Sequence, residues 1–308
     1  MSVAGILNQN TTKKEKAFQL FSLGYDRRQV AQMLCNGNYG YAHNMWKLWS
    51  ETQIAPMPVS SVFEFIFNRR FGVEVEFFGA SQNTLKQHLN AQGVNYQFES
   101  YNHTTRNHWK FTTDSSIRGE NAYEMVSPVL QGSGGLSQLK SACKSLRLSN
   151  AQVNKSCGLH VHLEVNDYSV EDMKTLVKNF YLLEEQFDQM MPESRRKNEN
   201  RYCQGFYPTM PNKQIFFSKI DSCTTIEQMA YFFDHRYLKL NLQSYTKYGT
   251  VEFRHHSGTT MFSKIKNWIL ICARLVEFSK QNVLIDNINL ILDENLQEYY
   301  EERCLDFV

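Results

Sequence analysis

Leu159-His160-Val161-His162-Leu163-Glu164-Val165 alternates apolar and polar residues without a break. Successive side chains of a β-strand point to opposite faces, so this spacing predicts a strand. Leu159, Val161 and Leu163 then face a core, while His160, His162 and Glu164 share the other face. A lone histidine is more often structural. Two imidazoles at i and i+2, followed in phase by a carboxylate, form a common ligand arrangement for divalent ions.

The same design occurs twice more. In Phe71-Gly72-Val73-Glu74-Val75-Glu76-Phe77-Phe78 the apolar residues take one face and Glu74 and Glu76 the other, about 6.5–7 Å apart along the strand. In Gly249-Thr250-Val251-Glu252-Phe253-Arg254-His255-His256, Val251 and Phe253 face inward and Glu252, Arg254 and His256 are expected outward together. Each face alone could be a solvated surface, and Glu252 beside Arg254 an exposed ion pair of little worth. A merely wetted face would carry more Lys, Thr and Ser. Glu, His and Arg together are instead the groups that hold Mg²⁺ and phosphate. Tyr123-Glu124-Met125-Val126-Ser127-Pro128 adds Glu124 as a further ligand candidate, and Asp114 stands in a turn where it either binds local amides or reaches the site.

Outward from these strands, the 308 residues suit one large domain and one small one, and 42% hydrophobic residues suffice for a sizeable core. A net charge of +2 excludes a strongly basic nucleic-acid binder as a description of the whole chain. Strands are expected at 71–78, 108–113, 122–127, 159–165, 238–243 and 249–255. Helices are expected at 82–91, 135–147, 169–190, 224–232 and 262–280. Strands close in sequence with helices in the longer gaps predict an α+β fold: a mostly antiparallel sheet backed by helices.

Ahead of it, residues 12–51 read as three short helices, with Asp26 capping the second and Met45, Leu48 and Trp49 at helical spacing in the third. The expected organisation is a small all-α, helix-turn-helix-like domain (1–51), a linker with two prolines (52–67), the main domain (68–282) and an acidic C-terminal tail (283–308). The helical unit either contacts nucleic acid through residues 12–51 or only packs and binds protein, and Trp46 and Trp49 are either base contacts or core. No apolar run approaches the ~20 residues that span a bilayer. The first residues lack a secretory pattern, and seven scattered cysteines suit a reducing interior, so a cytoplasmic protein without membrane partners is expected.

An ordered set of segments carries a resemblance. Glu74-x-Glu76, Trp109 with Asp114-x-Ser116, Glu124-x-x-Ser127-Pro128, Cys157-Gly158-Leu159-His160-Val161-His162 and Thr250-Val251-Glu252-Phe253-Arg254 resemble the amidoligase family, a branch of the glutamine-synthetase-like carboxylate–amine ligases. Pro192-Glu193-Ser194-Arg195-Arg196 with Tyr202-Cys203, and Gly258-Thr259 with Trp268, are similar to further segments of it. The resemblance covers about residues 68–280. It implies a sheet curved around an active-site funnel with helices outside, ATP, and two or more divalent cations, normally Mg²⁺ with Mn²⁺ as a substitute. It also implies an amide bond made between a carboxylate and an amine, small molecules or peptides, through an acyl phosphate.

Carried over by motif, Glu76 and Glu124 would hold one ion, and Glu74, His160 and Glu252 a second that bridges the ATP phosphates. Arg254 would stabilise the transferring phosphoryl group. Arg195, Arg196 and Arg236 would clamp phosphate or the substrate carboxylate, with Arg196 preferred of the adjacent pair. His162 and Asp114 would lie by the nucleotide, His162 orienting its neighbours rather than binding metal. Thr250 departs from glutamine synthetases, which place an arginine two residues before the metal-binding glutamate. The alternative is a catalytically silent relative that binds DNA or protein through its N-terminal helices.

Three other readings are set aside. Gly132-Ser133-Gly134-Gly135 lacks the lysine of a phosphate loop and is expected to be a turn before a helix from about Leu136. Cys157, three residues from His160, is expected to be a small buried residue rather than a nucleophile. A zinc hydrolase would not need this many carboxylates beside an arginine. The aromatic stretch 202–217 either lines a substrate entrance or belongs to the core.

Overall fold

A computed structural model describes residues 3–53, 63–198 and 200–307, and the chain divides into two compact units, Met1–Ser61 and Val62–Val308. The linker expected over 52–67 overlaps residues 54–62, which lie outside the described residues.

The smaller unit has the three expected helices, Lys13–Ser22, Arg27–Leu34 and Tyr39–Gln53, and a short one, Val3–Leu7. Thr12 with Glu15, and Asp26 with Gln29, form reciprocal capping boxes that satisfy otherwise orphaned N–H groups. Ala17, Leu20, Val30, Ala42 and Met45 make its core, against which Trp46 and Trp49 pack. Both tryptophans are partly buried against that core. Leu48, expected on the same face, is exposed.

The larger unit is built on one eight-stranded sheet. Its strands are β1 Arg70–Phe77, β2 Tyr96–Phe98, β3 Trp109–Thr113, β4 Tyr123–Val126, β5 Leu130–Gln131, β6 Gly158–Glu164, β7 Leu240–Asn241 and β8 Thr250–Ser257. They lie in the order β2-β3-β4-β1-β6-β8-β7, with β5 pairing β1; every pair is antiparallel except β2 with β3. Val73, Val75, Phe77, Leu159, Val161, Leu163, Val251 and Phe253 point to one face and share a core with helices Gly132–Leu148, Val170–Gln189 and Phe262–Ser279. Each such side chain, taken fully out of water, contributes roughly 1.5–3 kcal/mol. That leaves the opposite face for Glu74, Glu76, Glu124, His160, His162 and Glu252.

Several local features have physical causes. The helix expected from Leu136 begins at Gly132. Gly135 is a packing residue: a Cβ on it would stand 2.8 Å from Leu130 Cβ and 2.9 Å from Phe71 Cε1. The strand expected over 238–243 is only Leu240–Asn241, because Asn241 Oδ1 accepts the Gln243 N–H and turns the chain into helix Gln243–Tyr248. That helix ends at Gly249 in the left-handed region, φ 65°. The stretch 202–217 divides: Phe206 and Phe216 are core, while Tyr202 is exposed. The acidic segment 283–308 carries helix Glu294–Leu305, whose Leu296 and Tyr300 join the main core.

A further departure is a β-bulge. Val161 pairs with Phe253 but Leu159 with His256, so β8 spends three residues where β6 spends two. The extra residue reverses the alternation beyond it. His256, expected outward beside Arg254, is instead buried on the helix side against Trp268, ring centroids 5.4 Å apart. His255 turns to the same side and meets Asp188 Oδ1 at 2.6 Å.

Candidate active site

The pairing register assembles the polar face. Glu76 sits opposite Glu124, Glu74 opposite His160, and His162 opposite Glu252, which also pairs with Asn241. Four strands thus bring their ligand candidates to one cavity of about 800 Å³. Asp114, His162, Arg195, Arg236 and Arg254 line the same cavity.

His160 is central. Its Nδ1 lies 2.8 Å from Glu74 Oε2 and 3.6 Å from Glu252 Oε1, and its Nε2 lies 3.8 Å from Glu76 Oε1. His162 Nε2 is 3.4 Å from Glu74 Oε1 and 3.9 Å from Glu252 Oε1, and has no hydrogen-bond partner although that atom is buried. Glu76 Oε2 accepts the Gly158 N–H at 2.6 Å. Glu252 Oε2 accepts from Asn241 Nδ2 at 2.7 Å, while its Oε1 meets Arg254 at 2.5 Å.

The charges are unbalanced in a telling way. Burial works against ionised Glu74, yet the hydrogen-bonded His160 and the His162 imidazole beside it hold its carboxyl well below the ordinary range. Burial likewise opposes Glu252, and Arg254 outweighs it, so that pKa is lowered. At Glu124, burial and the neighbouring Glu74, Glu76 and Asp114 act together and push the pKa well above the usual value. Ionised Glu124 thus stands against both its burial and three neighbouring carboxylates.

That surplus of negative charge is the condition a cation relieves. Two sets of ligand atoms, Glu74–His160–Glu252 and Glu76–Glu124–His160, each lie within 4.8 Å of one another. Carboxylate oxygens with an imidazole suit Mg²⁺ or Mn²⁺. The residues present fit the group.

The arginines fall into two kinds. Arg254 is paired with Glu252. Arg195 is buried and donates to the Cys157 carbonyl at 2.6 Å. Neither it nor Arg236 pairs with a carboxylate among the described residues, and both open onto the cavity. Arg196 does not line it. Its guanidinium donates to the Met191 carbonyl at 2.8 Å and to the Phe307 carbonyl at 3.2 Å, so of the adjacent pair it is Arg195, not the preferred Arg196, that opens onto the cavity. Residues 193–195 form a turn of 3-10 helix, and adjacent side chains at its end leave in different directions. Asp114 lines the cavity, and its Oδ1 accepts the Ser116 N–H at 2.7 Å. Burial pushes the Cys157 thiol pKa up, which suits an inert residue.

Two site features escaped the sequence reading. Asn241 is a polar residue between Leu240 and Leu242, a pattern that could have marked it. Gly158 acts through its backbone. A Cβ there would stand 3.1 Å from both Arg195 and His160, so its bareness lets these two side chains approach.

A family model described as "Putative amidoligase enzyme" matches residues 67–276. No curated protein matches the chain.

Proposed function

The chain belongs to the amidoligase family, and from that premise we propose that the cavity joins a carboxylate to an amine at the expense of ATP. The observation that carries this reading is the convergence of Glu74, Glu76, Glu124, His160 and Glu252 with three arginines in one cavity. Phosphoryl transfer asks little covalent help of a protein, but much charge neutralisation and in-line placement.

Divalent cations, held by Glu74, His160 and Glu252 and by Glu76 and Glu124, would supply charge neutralisation at the phosphates. Arg254, fixed against Glu252, presents a forked donor that cannot lose its charge at the transferring phosphoryl group. Arg195 and Arg236, without carboxylate partners, bind the remaining anionic groups. In the reaction a carboxylate oxygen bonds to the γ-phosphorus as ADP leaves. The amine nitrogen then bonds to the acyl carbon, phosphate departs, and the nitrogen gives up a proton.

The test is Mg²⁺-dependent ADP release by the full chain with mixed carboxylates and a panel of amines. Amine-dependent release with stoichiometric phosphate supports the reading. No nucleotide binding in the presence of Mg²⁺ removes it.

For the helical unit we propose contact with nucleic acid, on the strength of helices Arg27–Leu34 and Tyr39–Gln53 joined by a short turn. Failure of the full chain to shift duplex DNA at low salt removes that proposal.

A further inference from the structure

Glu252 and Glu76 are held in the same manner, although they sit on different strands. In each carboxylate one oxygen accepts from a neutral amide donor and the other is directed to the middle of the cluster, where Glu252 Oε1 also accepts from the Arg254 guanidinium. At Glu76 the donor is the Gly158 N–H, 2.6 Å from Oε2, and Oε1 faces His160. At Glu252 the donor is Asn241 Nδ2, 2.7 Å from Oε2, and Oε1 faces His160, His162 and Arg254.

The orientation of the Asn241 amide is itself determined. Its Oδ1 accepts from the backbone N–H of Gln243 at 2.9 Å, and a backbone N–H can only donate. The NH₂ group therefore has to face Glu252. Asn241 is buried, its Cα pairs with that of Glu252 across β7 and β8, and the turn it forms with Gln243 fixes its side chain. A buried donor aimed at one carboxylate oxygen favours the ionised form and restricts rotation of the group.

We propose that Asn241 is a positioning residue for the cation site: it fixes the Glu252 carboxylate so that Oε1 is the ligand oxygen. This rests on the reading of the cavity as a cation site, and it assigns to Asn241 a role toward that ion without contact to the reacting atoms. Groups that orient ligands in this way typically change metal affinity about 10–100-fold when removed.

The experiment is a titration of the full chain with Mn²⁺ alone, followed by electron paramagnetic resonance, with apo melting temperatures measured beside it. Two substitutions separate positioning from structure. Asn241→Leu removes both the donor and the acceptor. Asn241→Asp keeps an oxygen for the Gln243 N–H, and so keeps the turn, but presents an acceptor to Glu252.

The expected result is that both weaken one Mn²⁺ site at least tenfold and that Asn241→Asp keeps a cooperative melt. Asn241→Asp binding Mn²⁺ like the wild type overturns the proposal, since the turn alone would then account for Asn241. Unchanged binding in Asn241→Leu overturns it as well. A wild-type chain that takes up no Mn²⁺ sinks the cation site itself, a separate failure.

Discussion

Arg195 and Arg196 are neighbours in the chain and opposites in space: the first opens onto the acidic cavity, and the second is spent on the carbonyls of Met191 and Phe307. Arg195→Ala should lower turnover by about 10²–10³-fold, the usual loss when one preorganised charge donor is removed. Arg196→Ala should leave kcat within about twofold. Steady-state assays of the two variants check the assignment, and equal losses would overturn it.

Glu252→Gln should abolish measurable turnover and weaken Mn²⁺ binding, because it removes a negative charge from a group held for a cation. The fold should survive, since Glu74 remains beside Arg254 and the amide can still accept from it. Mn²⁺ titration together with circular dichroism tests this. Loss of native structure without metal would instead make Glu252 a structural residue.

Acid stability carries the mark of His256. Burial against Trp268 pushes its pKa down to about 3. Between pH 6.5 and that value the unfolded chain binds a proton that the folded chain does not. The contribution is therefore intact above pH 6.5 and lost as pH falls, at up to about 1.4 kcal/mol per pH unit. Urea unfolding at pH 7, 6 and 5 should show a shallower acid decline for His256→Gln than for the wild type. Parallel declines would mean that His256 titrates normally.

Gly135→Ala should destabilise the larger unit by about 1–3 kcal/mol despite alanine's better helix propensity. The added methyl would meet Leu130 and Phe71, both buried in the core. Gly134→Ala, with nothing within 4 Å of its Cβ, should be neutral or stabilising. Thermal melts of the pair decide between packing and backbone freedom as the reason for the glycine run.

Period-two alternation made β1, β6 and β8 legible, because each buries one face and leaves the other polar. The long helices were equally plain from their apolar stripes. Legibility failed where short-range bonds decide the path. Gln243–Tyr248 is a helix because of one amide oxygen on Asn241, and nothing in residue periodicity announces that. It failed again at β2, three residues long and parallel to β3, whose existence depends on a partner distant from any local pattern. Of the site, the carboxylates and imidazoles were readable as faces of strands. Which of Arg195 and Arg196 would enter the cavity was not, since consecutive residues at the end of a tight turn have no fixed phase.

The bulge in β8 makes the number of residues between Phe253 and Ser257 matter more than most of their identities. Deleting one of them would let the two strands zip regularly and would rotate the sequence beyond by half a turn, sending a Trp268-side imidazole out to solvent or an arginine inward. Exchanges that keep the count should be absorbed far better than any indel, so a library varying length as well as residue type at 254–256 would find its survivors almost wholly at the native spacing.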